Sequence, residues 1–367
     1  MNGLRGQLPS ALWSRRQFLG ALGAAPLLLA TRARGENLAL PKPEFSFLVI
    51  ADTHFFADAK QPAQMDARSE EITRALVQTL NRLPGATLPA AAGGGSVLAP
   101  QGVLVLGDLI NSGDKNGGVF PQMQQTEWNA FTARMGLTGA DGELKFPLYE
   151  LHGNHDAPAG KGVALDGIIA RNKRRQGVSA ISESGVHYAW QWGGVHFVNL
   201  GIVTAPGSGA TGNRRYHPLG SLEFLAGYLR DKVGTGGAPV LVSQHIDIVR
   251  HLTQAALQNT ARHAEWEPDE VIKFYDTLAP YNLLGLFYGH THNRYFCRWQ
   301  RDVTGVGSEG LPVFNVKNAS HYLDKSGAAY YCEVGARRLT VRELVTHDRW
   351  ATSAWTPQAW TVAGTRA

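Results

Sequence analysis

The sequence predicts an α/β fold in which two packed β-sheets lie between outer helices. Apolar runs that resemble buried strands alternate with amphipathic helical patterns through the first two thirds of the chain. After residue 290 strand-like segments predominate, which indicates two packed sheets. No repeat or change of composition divides the chain, so we expect one domain over residues 36–350 and a C-terminal tail over 351–367.

Five apolar runs are predicted to be buried strands from their length and their polar boundaries. They cover residues 45–51, 102–106, 147–151, 239–243 and 284–288. Four later strands are predicted at 294–300, 311–316, 328–334 and 338–345. A hairpin is predicted where 187–192 and 195–200 are joined by Gly193-Gly194, which permit a tight turn.

Three helices are predicted, at 67–83, 222–233 and 267–278. The first has Ile72, Leu76 and Leu80 at the spacing of one helical face. The last begins with Pro268 and Asp269, which are typical of a helix N-terminus. Residues 84–102 are rich in Ala and Gly, which predicts a surface loop.

Residues 1–35 are predicted to be an export signal that is not part of the fold. Ser14-Arg15-Arg16-Gln17-Phe18-Leu19 precedes an apolar stretch at 20–30, and we expect cleavage near Ala33 or Gly35. This pattern resembles a twin-arginine signal, so we expect the twin-arginine export machinery as a partner and a periplasmic or secreted location. The apolar stretch has eleven residues against the roughly 20 that span a membrane, so no transmembrane segment is expected in the mature protein.

Removal of this signal changes the charge balance. The chain carries 35 Lys and Arg against 30 Asp and Glu, a formal net charge of +5. Residues 1–35 hold five arginines and no acidic residue, so the remainder has 30 basic and 30 acidic residues. Because nucleic-acid binding normally requires a basic surface, we expect no nucleic-acid partner.

The chain has two cysteines, Cys297 and Cys332, and both lie in predicted strands. If those strands pair, a disulfide would form in an oxidising periplasm. Two buried free thiols are the alternative, because Cys packs well as a small apolar residue. The sequence leaves both alternatives open.

Five polar clusters directly follow the five buried strands: Asp52-Thr53-His54, Gly107-Asp108, Gly153-Asn154-His155-Asp156, His245 and Gly289-His290-Thr291-His292. Because open α/β sheets bind ligands at the carboxyl ends of their strands, we expect all five clusters at one sheet edge. Imidazole, carboxylate and amide groups form the ligand set of zinc, manganese or iron, and no thiolate is offered. The clusters therefore predict a two-metal hydrolytic site.

In this order, the motifs Asp-x-His, Gly-Asp, Gly-Asn-His-Asp, His and Gly-His-x-His resemble the calcineurin-like metallophosphoesterase superfamily over residues 45–345. The resemblance implies a four-layer αββα sandwich with two mixed sheets and a dinuclear transition-metal centre. It implies that Asp52, His54 and His292 bind one metal. It likewise implies that Asn154, His245 and His290 bind the other and that Asp108 bridges the two.

The resemblance also implies a reaction. A metal-bridging water, acidified to hydroxide, is expected to attack phosphorus in line while the metals stabilise the phosphoryl oxygens. His155 is not needed as a ligand, and we expect it to act as general acid or to stabilise charge on the leaving-group side. Asp156 is expected either to support the metal site or to bond its own backbone in a turn.

Departures from the family pattern narrow the subfamily. Purple acid phosphatases have a tyrosine ligand three residues after the bridging aspartate, where this chain has Asn111. Phosphoprotein phosphatases have Gly-Asp-x-x-Asp-Arg-Gly at this motif and Gly-Asn-His-Glu at the next, whereas this chain has Asn111-Ser112 and Asp156 at the differing positions. Neither subfamily is therefore expected, and the partner that orients His155 is left open.

Substrate recognition is expected to come from other loops. Candidate phosphate-binding residues are Arg174, within the basic stretch 171–175, Arg215, and Arg294 just after His292. A solvated charged surface is the alternative for residues 173–175. Phe55, Phe56 and Tyr216 are expected to pack rather than to stack on a substrate.

The predicted function is an exported phosphoesterase that acts on a phosphorylated small molecule, either a phosphate monoester or a phosphodiester. A nuclease is one alternative, which the neutral mature chain disfavours. A catalytically inactive binding scaffold is the other. It is disfavoured because all seven candidate ligands and His155 are present.

Overall fold

The computed structural model describes residues 44–212, 214–249, 265–301, 304–305, 309–335 and 337–364. The predicted signal segment lies outside the described residues, so the structure does not test it. Within the described residues, no helix is both long and apolar enough to cross a membrane.

The first sheet has six strands: β1 (Phe45–Ile50), β4 (Val103–Leu106), β5 (Leu148–Leu151), β14 (Gly327–Gly335), β15 (Arg338–Thr346) and β16 (Ala354–Ala363). Their order in the sheet is β16-β15-β14-β1-β4-β5. Strands β1, β4 and β5 run parallel, and β14, β15 and β16 add antiparallel pairs at one side.

The second sheet has eight strands: β6 (Val178–Ile181), β7 (Tyr188–Trp192), β8 (Val195–Asn199), β9 (Pro239–Ser243), β10 (Asn282–Tyr288), β11 (Tyr295–Trp299), β12 (Thr304–Gly305) and β13 (Leu311–Asn315). Their order in the sheet is β12-β11-β13-β10-β9-β8-β7-β6. The four central strands are parallel, and antiparallel pairs lie at both sides. A separate two-stranded hairpin consists of β2 (Ala57–Asp58) and β3 (Gln61–Met65).

Alternating side chains on β1 show how the layers stack. Leu48 and Ile50 join the core beneath three helices, α1 (Ala67–Asn81), α2 (Phe120–Arg134) and α3 (Val163–Asn172). Phe47 and Val49 point the other way, into a core shared by the two sheets. On the far side of the second sheet pack α4 (Ser221–Tyr228), which continues as a π-helical turn (Leu229–Val233), and α5 (Pro268–Leu278). The result is the predicted αββα sandwich.

Most predicted elements are present with shifts of a few residues at their ends. The predicted hairpin forms between β7 and β8, and the loop at 84–102 contains only one short 3₁₀ turn (Ala90–Ala92). Helices α2 and α3 were not predicted. The sheet continues past residue 350, where a tail was expected, because β16 pairs antiparallel with β15.

The two cysteines are buried free thiols in different cores. Cys297 on β11 packs in the core under α4 and α5, whereas Cys332 on β14 packs between the two sheets. Because their strands belong to different sheets, they do not pair. The disulfide alternative is therefore wrong.

Candidate metal centre

The five polar clusters converge at the carboxyl ends of five strands. Strands β1, β4 and β5 belong to the six-stranded sheet, whereas β9 and β10 belong to the eight-stranded sheet. The expectation of a single sheet edge is therefore wrong, because the cluster forms where the edges of two sheets meet. The structure brings together all seven predicted ligands, Asp52, His54, Asp108, Asn154, His245, His290 and His292.

Asp52, His54 and His292 form one group. Nε2 of His54 lies 3.3 Å from Nε2 of His292, which in turn lies 3.5 Å from Oδ1 of Asp52. Asp52 and His54 are almost completely buried. Two imidazole nitrogens that face each other beside a buried carboxylate form a donor set that a transition-metal cation fits.

Asp108, Asn154, His245 and His290 form the second group. Nε2 of His245 lies 3.2 Å from Oδ2 of Asp108 and 3.0 Å from Oδ1 of Asn154. The same Oδ2 of Asp108 lies 3.6 Å from Nε2 of His54, in the first group. Asp108 thus lies between the groups, as a bridging ligand must.

The backbone is left-handed at five of the seven positions. The φ angles are 53° at Asp52, 43° at His54, 49° at Asp108, 67° at His290 and 55° at His292. Each non-glycine residue in this region costs about 1–3 kcal/mol, and such strain concentrates at functional sites. The folded core therefore holds these side chains in positions that the local backbone disfavours.

Two glycines allow the strand ends to approach each other. Gly107 has a φ of 86°, and a Cβ there would lie 2.5 Å from Nδ1 of His245. A Cβ at Gly153 would lie 2.2 Å from Oδ1 of Asp108. A side chain at either position would displace a predicted ligand.

Each buried histidine of the cluster has a partner on its outer ring nitrogen. Nδ1 of His245 donates to the backbone oxygen of Leu106 at 2.7 Å. Nδ1 of His54 lies 3.1 Å from Oδ1 of Asn111. With Nδ1 engaged, Nε2 of each ring is directed toward the cluster, as a metal ligand requires.

Electrostatics in the cluster favour anionic carboxylates, whereas the histidines differ from one another. Burial would raise the pKa of Asp52 and of Asp108, but nearby histidines outweigh burial and hold both pKa values below the usual range. Burial lowers the pKa of His54 to about 3, so this imidazole is neutral. Burial would also lower the pKa of His245 and of His292, but Asp108 raises that of His245 to about 9 and Asp52 raises that of His292. These two histidines would therefore release a proton on binding a metal.

His155 lies beside the cluster, with its ring centroid 5.0 Å from that of His54. Its backbone N donates to Oδ1 of Asp108 at 2.8 Å, and its Nδ1 lies 3.1 Å from the backbone oxygen of Asn111 and 3.6 Å from Oδ1 of Asp114. Burial would lower the pKa of His155, but Asp114 and Asp108 raise it to about 9. The orienting partners left open by the sequence are thus Asp114 and the Asn111 carbonyl.

Asp156 ties two motif loops together. Its carboxylate accepts hydrogen bonds from the backbone N of Leu109, Ile110 and Gly153, at 3.1, 2.9 and 2.7 Å. It therefore bonds its own turn and also supports the loop that carries Asp108. The two expected roles of Asp156 are both present.

Sequence reasoning missed several polar residues beside the predicted ligands, among them Asp247, which forms a group with Glu265 and His290. His321 and Asp324 form a group with His292, and Oε1 of Glu265 lies 3.2 Å from Nε2 of His290. None belongs to a motif with recognisable spacing. For His321, Asp324 and Glu265, the sequence offered only the residue types as a signal. No predicted strand ends next to these three residues, so nothing placed them near the cluster.

Arg174 is not brought to the cluster. It is exposed, near Pro147 and Tyr149 at the start of β5, whereas the cluster lies beyond the end of that strand. Its neighbours Arg171 and Arg175 are buried and form ion pairs with Glu150 at 2.7 and 2.9 Å. The basic stretch is therefore partly structural, and the alternative of a solvated surface holds for exposed Lys173 and Arg174 but not for Arg175.

The other two candidate arginines have defined partners. Arg294 forms an ion pair with buried Glu343 at 2.7 Å, and its guanidinium lies 6.0 Å from the ring centroid of Trp360. The guanidinium of exposed Arg215 lies over the ring of Tyr216 at 4.7 Å. Burial is the main cause that raises the pKa of Tyr216 to about 12, and the negative charges of Glu265 and Asp108 also raise it. Arg294 follows the predicted ligand His292 by two residues but is paired with Glu343, whereas Arg215 is exposed.

A comparison with protein-family models confirms the family that these motifs resemble. The model for calcineurin-like phosphoesterases matches residues 45–294. This chain belongs to that family. Membership makes the protein a hydrolase of phosphoric esters and, with its histidine and aspartate cluster, a metal-dependent phosphoesterase.

One solved structure supports the fold, and a second is reported beside it. A dimetal phosphatase from Danio rerio is 14% identical with a TM-score of 0.53, and the match covers 88% of this chain and 100% of that one. A metallophosphoesterase from Sphaerobacter thermophilus is 14% identical with a TM-score of 0.32, covering 82% of this chain and 87% of that one. No curated protein sequence matches this chain.

Proposed function

We propose that the protein is an exported phosphoesterase that uses two transition-metal ions, of manganese, zinc or iron, to hydrolyse a phosphate monoester or phosphodiester. The observation that carries this proposal is the convergence of seven oxygen- and nitrogen-donor residues from five strand ends, with Asp108 between two groups. Similarity to a dimetal phosphatase supports the number of metals. When bound there, the metals would supply Lewis acidity for the attacking water and for the phosphoryl oxygens.

The residues of the chain divide the remaining work. The bond from the backbone N of His155 to Asp108 fixes this histidine relative to the bridging position. Asp114 and the Asn111 carbonyl face Nδ1 of His155, which leaves Nε2 directed away from them to hold a proton for the leaving oxygen. Asp156 and the buried Glu127, which accepts from the backbone N of Asn111, keep the intervening loop in place.

The test is a substrate panel with the mature protein. Monoesters, diesters, cyclic nucleotides, nucleotide sugars and inositol phosphates are assayed with manganese, zinc and iron. We expect turnover of at least one phosphoester and its loss in a chelator. Metal-independent turnover, or no turnover with any metal, would contradict the proposal.

Export is a separate part of the proposal. Its support is the twin arginine at Arg15 and Arg16 before an apolar stretch, in a route that carries proteins already folded. Replacing both arginines by lysine is expected to trap the precursor in the cytoplasm, measured by fractionation. Normal export of that variant would refute the twin-arginine assignment.

A further inference from the structure

His321 lies beside the metal centre but belongs to none of the family motifs. Its ring centroid is 4.8 Å from that of His54 and 5.1 Å from that of His292. Its side chain is 18% exposed, so solvent reaches the ring. A ring that contacts two predicted ligands and also meets solvent can touch a substrate bound at the same ligands.

The segment that carries His321 is anchored to the end of β1. The backbone N of Ala319 donates to the oxygen of Ala51, and the Oγ of Ser320 donates to the oxygen of Thr53, both at 2.8 Å. These bonds flank the Asp52 position on both sides. His321 is therefore held in register with the cluster by the fold, as a substrate-binding group should be.

Asp324 lies beside the ring of His321. Its Oδ2 lies 3.5 Å from Nδ1 of His321, and its backbone N donates to the backbone oxygen of His321 at 2.9 Å. Within the described residues, Nδ1 is buried and makes no hydrogen bond, so solvent reaches the ring on its other side. Nε2 is therefore the ring nitrogen that can meet a substrate.

The surroundings of His155 are similar. The rings of His155 and His321 lie 5.0 and 4.8 Å from the ring of His54. Each has an aspartate near Nδ1, Asp114 at 3.6 Å and Asp324 at 3.5 Å. Two histidine–aspartate pairs therefore lie beside the predicted ligand His54.

A third metal at this position fits less well. His321, Asp324 and His292 could hold a cation only if His292 used Nδ1, because its Nε2 faces Asp52 and His54. A histidine that bound two cations would have to lose both ring protons, which is unfavourable. A substrate oxygen is the better partner for Nε2 of His321.

We propose that His321, held beside the cluster by the bonds of Ala319 and Ser320, hydrogen-bonds the third non-bridging oxygen of a phosphate monoester and so makes the site selective for monoesters over diesters. This inference rests on the proposed function and deepens it. A monoester has three non-bridging oxygens and, with a second ionisation near pH 6, can bring a proton to this bond. A diester has two such oxygens and no proton, and its second ester group would leave Nε2 unpaired.

The experiment compares two substrates with one leaving group, p-nitrophenyl phosphate and bis-p-nitrophenyl phosphate, in the metal-loaded protein. We expect His321→Ala to lower the monoester-to-diester ratio of kcat/KM by about 10²-fold, the effect of losing one donor to a reacting oxygen. His321→Gln should recover part of the ratio, because its amide nitrogen reaches near the Nε2 position. His347→Ala is the matched control, since His347 is exposed and lies outside the cluster.

Metal content is measured in the same samples. Two metal equivalents in His321→Ala, together with the lowered ratio, would support a substrate contact. Equal loss on both substrates, an unchanged ratio, or loss of metal from this variant would overturn the inference. If the wild-type protein hydrolyses neither substrate nor any other phosphoester with any metal, the proposed function itself fails, and this outcome is distinct from an active enzyme with an unchanged ratio.

Discussion

The two sheets contribute different chemistry to the metal centre. The six-stranded sheet supplies Asp52, Asp108 and Asn154, and thus both carboxylates and the amide among the predicted ligands, together with His54. The eight-stranded sheet supplies imidazoles only, from His245, His290 and His292. Each predicted metal position thus draws its ligands from both sheets.

The core between the sheets determines how well these two contributions meet. Phe47 on β1 packs edge-on against Phe197 on β8, with ring centroids 5.3 Å apart. Phe287, just before the end of β10, also packs edge-on against Phe47, with ring centroids 6.4 Å apart. Aromatic packing of this kind resists sliding between layers, so the donor positions depend on apolar residues that touch no ligand.

The largest effect is expected from Asp108→Ala, which removes the residue between the two groups. The metal content should fall from about two equivalents per chain to none, because Asp108 belongs to both predicted ligand sets and its charge also offsets the repulsion between the cations. Turnover should fall by at least about 10³-fold, the size of a lost principal electrostatic group. Retention of both metals would show that Asp108 is not needed to bind them.

Single ligands from the eight-stranded sheet should separate the two metal positions. His292→Ala and His245→Ala are each expected to leave about one equivalent, because each removes a ligand from only one predicted set. Metal content is measured beside the control His347→Ala, which should keep both. Loss of both metals in either variant would mean that the positions are occupied only together.

Bound metals should also raise the free energy of unfolding. Because only the folded chain presents the full ligand sets, a hundredfold excess of metal over its Kd contributes about 2.7 kcal/mol to the free energy of unfolding. Urea unfolding with and without EDTA measures this difference. Asp108→Ala is the matched control and should show no effect of EDTA; an equal effect in that variant would place the stabilising metal elsewhere.

The smallest effect is expected on the pH dependence of turnover, through His155, which follows a strand of the six-stranded sheet. The pKa of His155 is about 9, because Asp114 and Asp108 outweigh burial. The protonated acid is therefore present below this pH, and turnover of substrates with poor leaving groups should fall as pH rises through it. In Asp114→Asn the fall should begin at lower pH, by about one unit, or about 1.4 kcal/mol. An unchanged pH profile in this variant would remove Asp114 from this role.

The missed elements show where local patterns fail. Helix α2 buries Glu127 and Arg134 among its apolar residues, which obscures the apolar face. Glu127 is buried because it accepts bonds from the backbone N of Ala57, Asn111 and Ser112 in neighbouring loops. Strand β16 is mostly exposed at a sheet edge and contains Pro357, so it lacks the signal of a buried strand.

The motifs alone predict where the strands end and which residues are the donors, because each motif is a short run next to an apolar segment. The packing of the two sheets shows that the donors come from both and that His321 lies beside them. It also places Arg175 in an ion pair with Glu150. The reason is physical: these contacts depend on packing between residues far apart in the chain, as with His54 and His292, which are 238 positions apart. No local pattern encodes that separation.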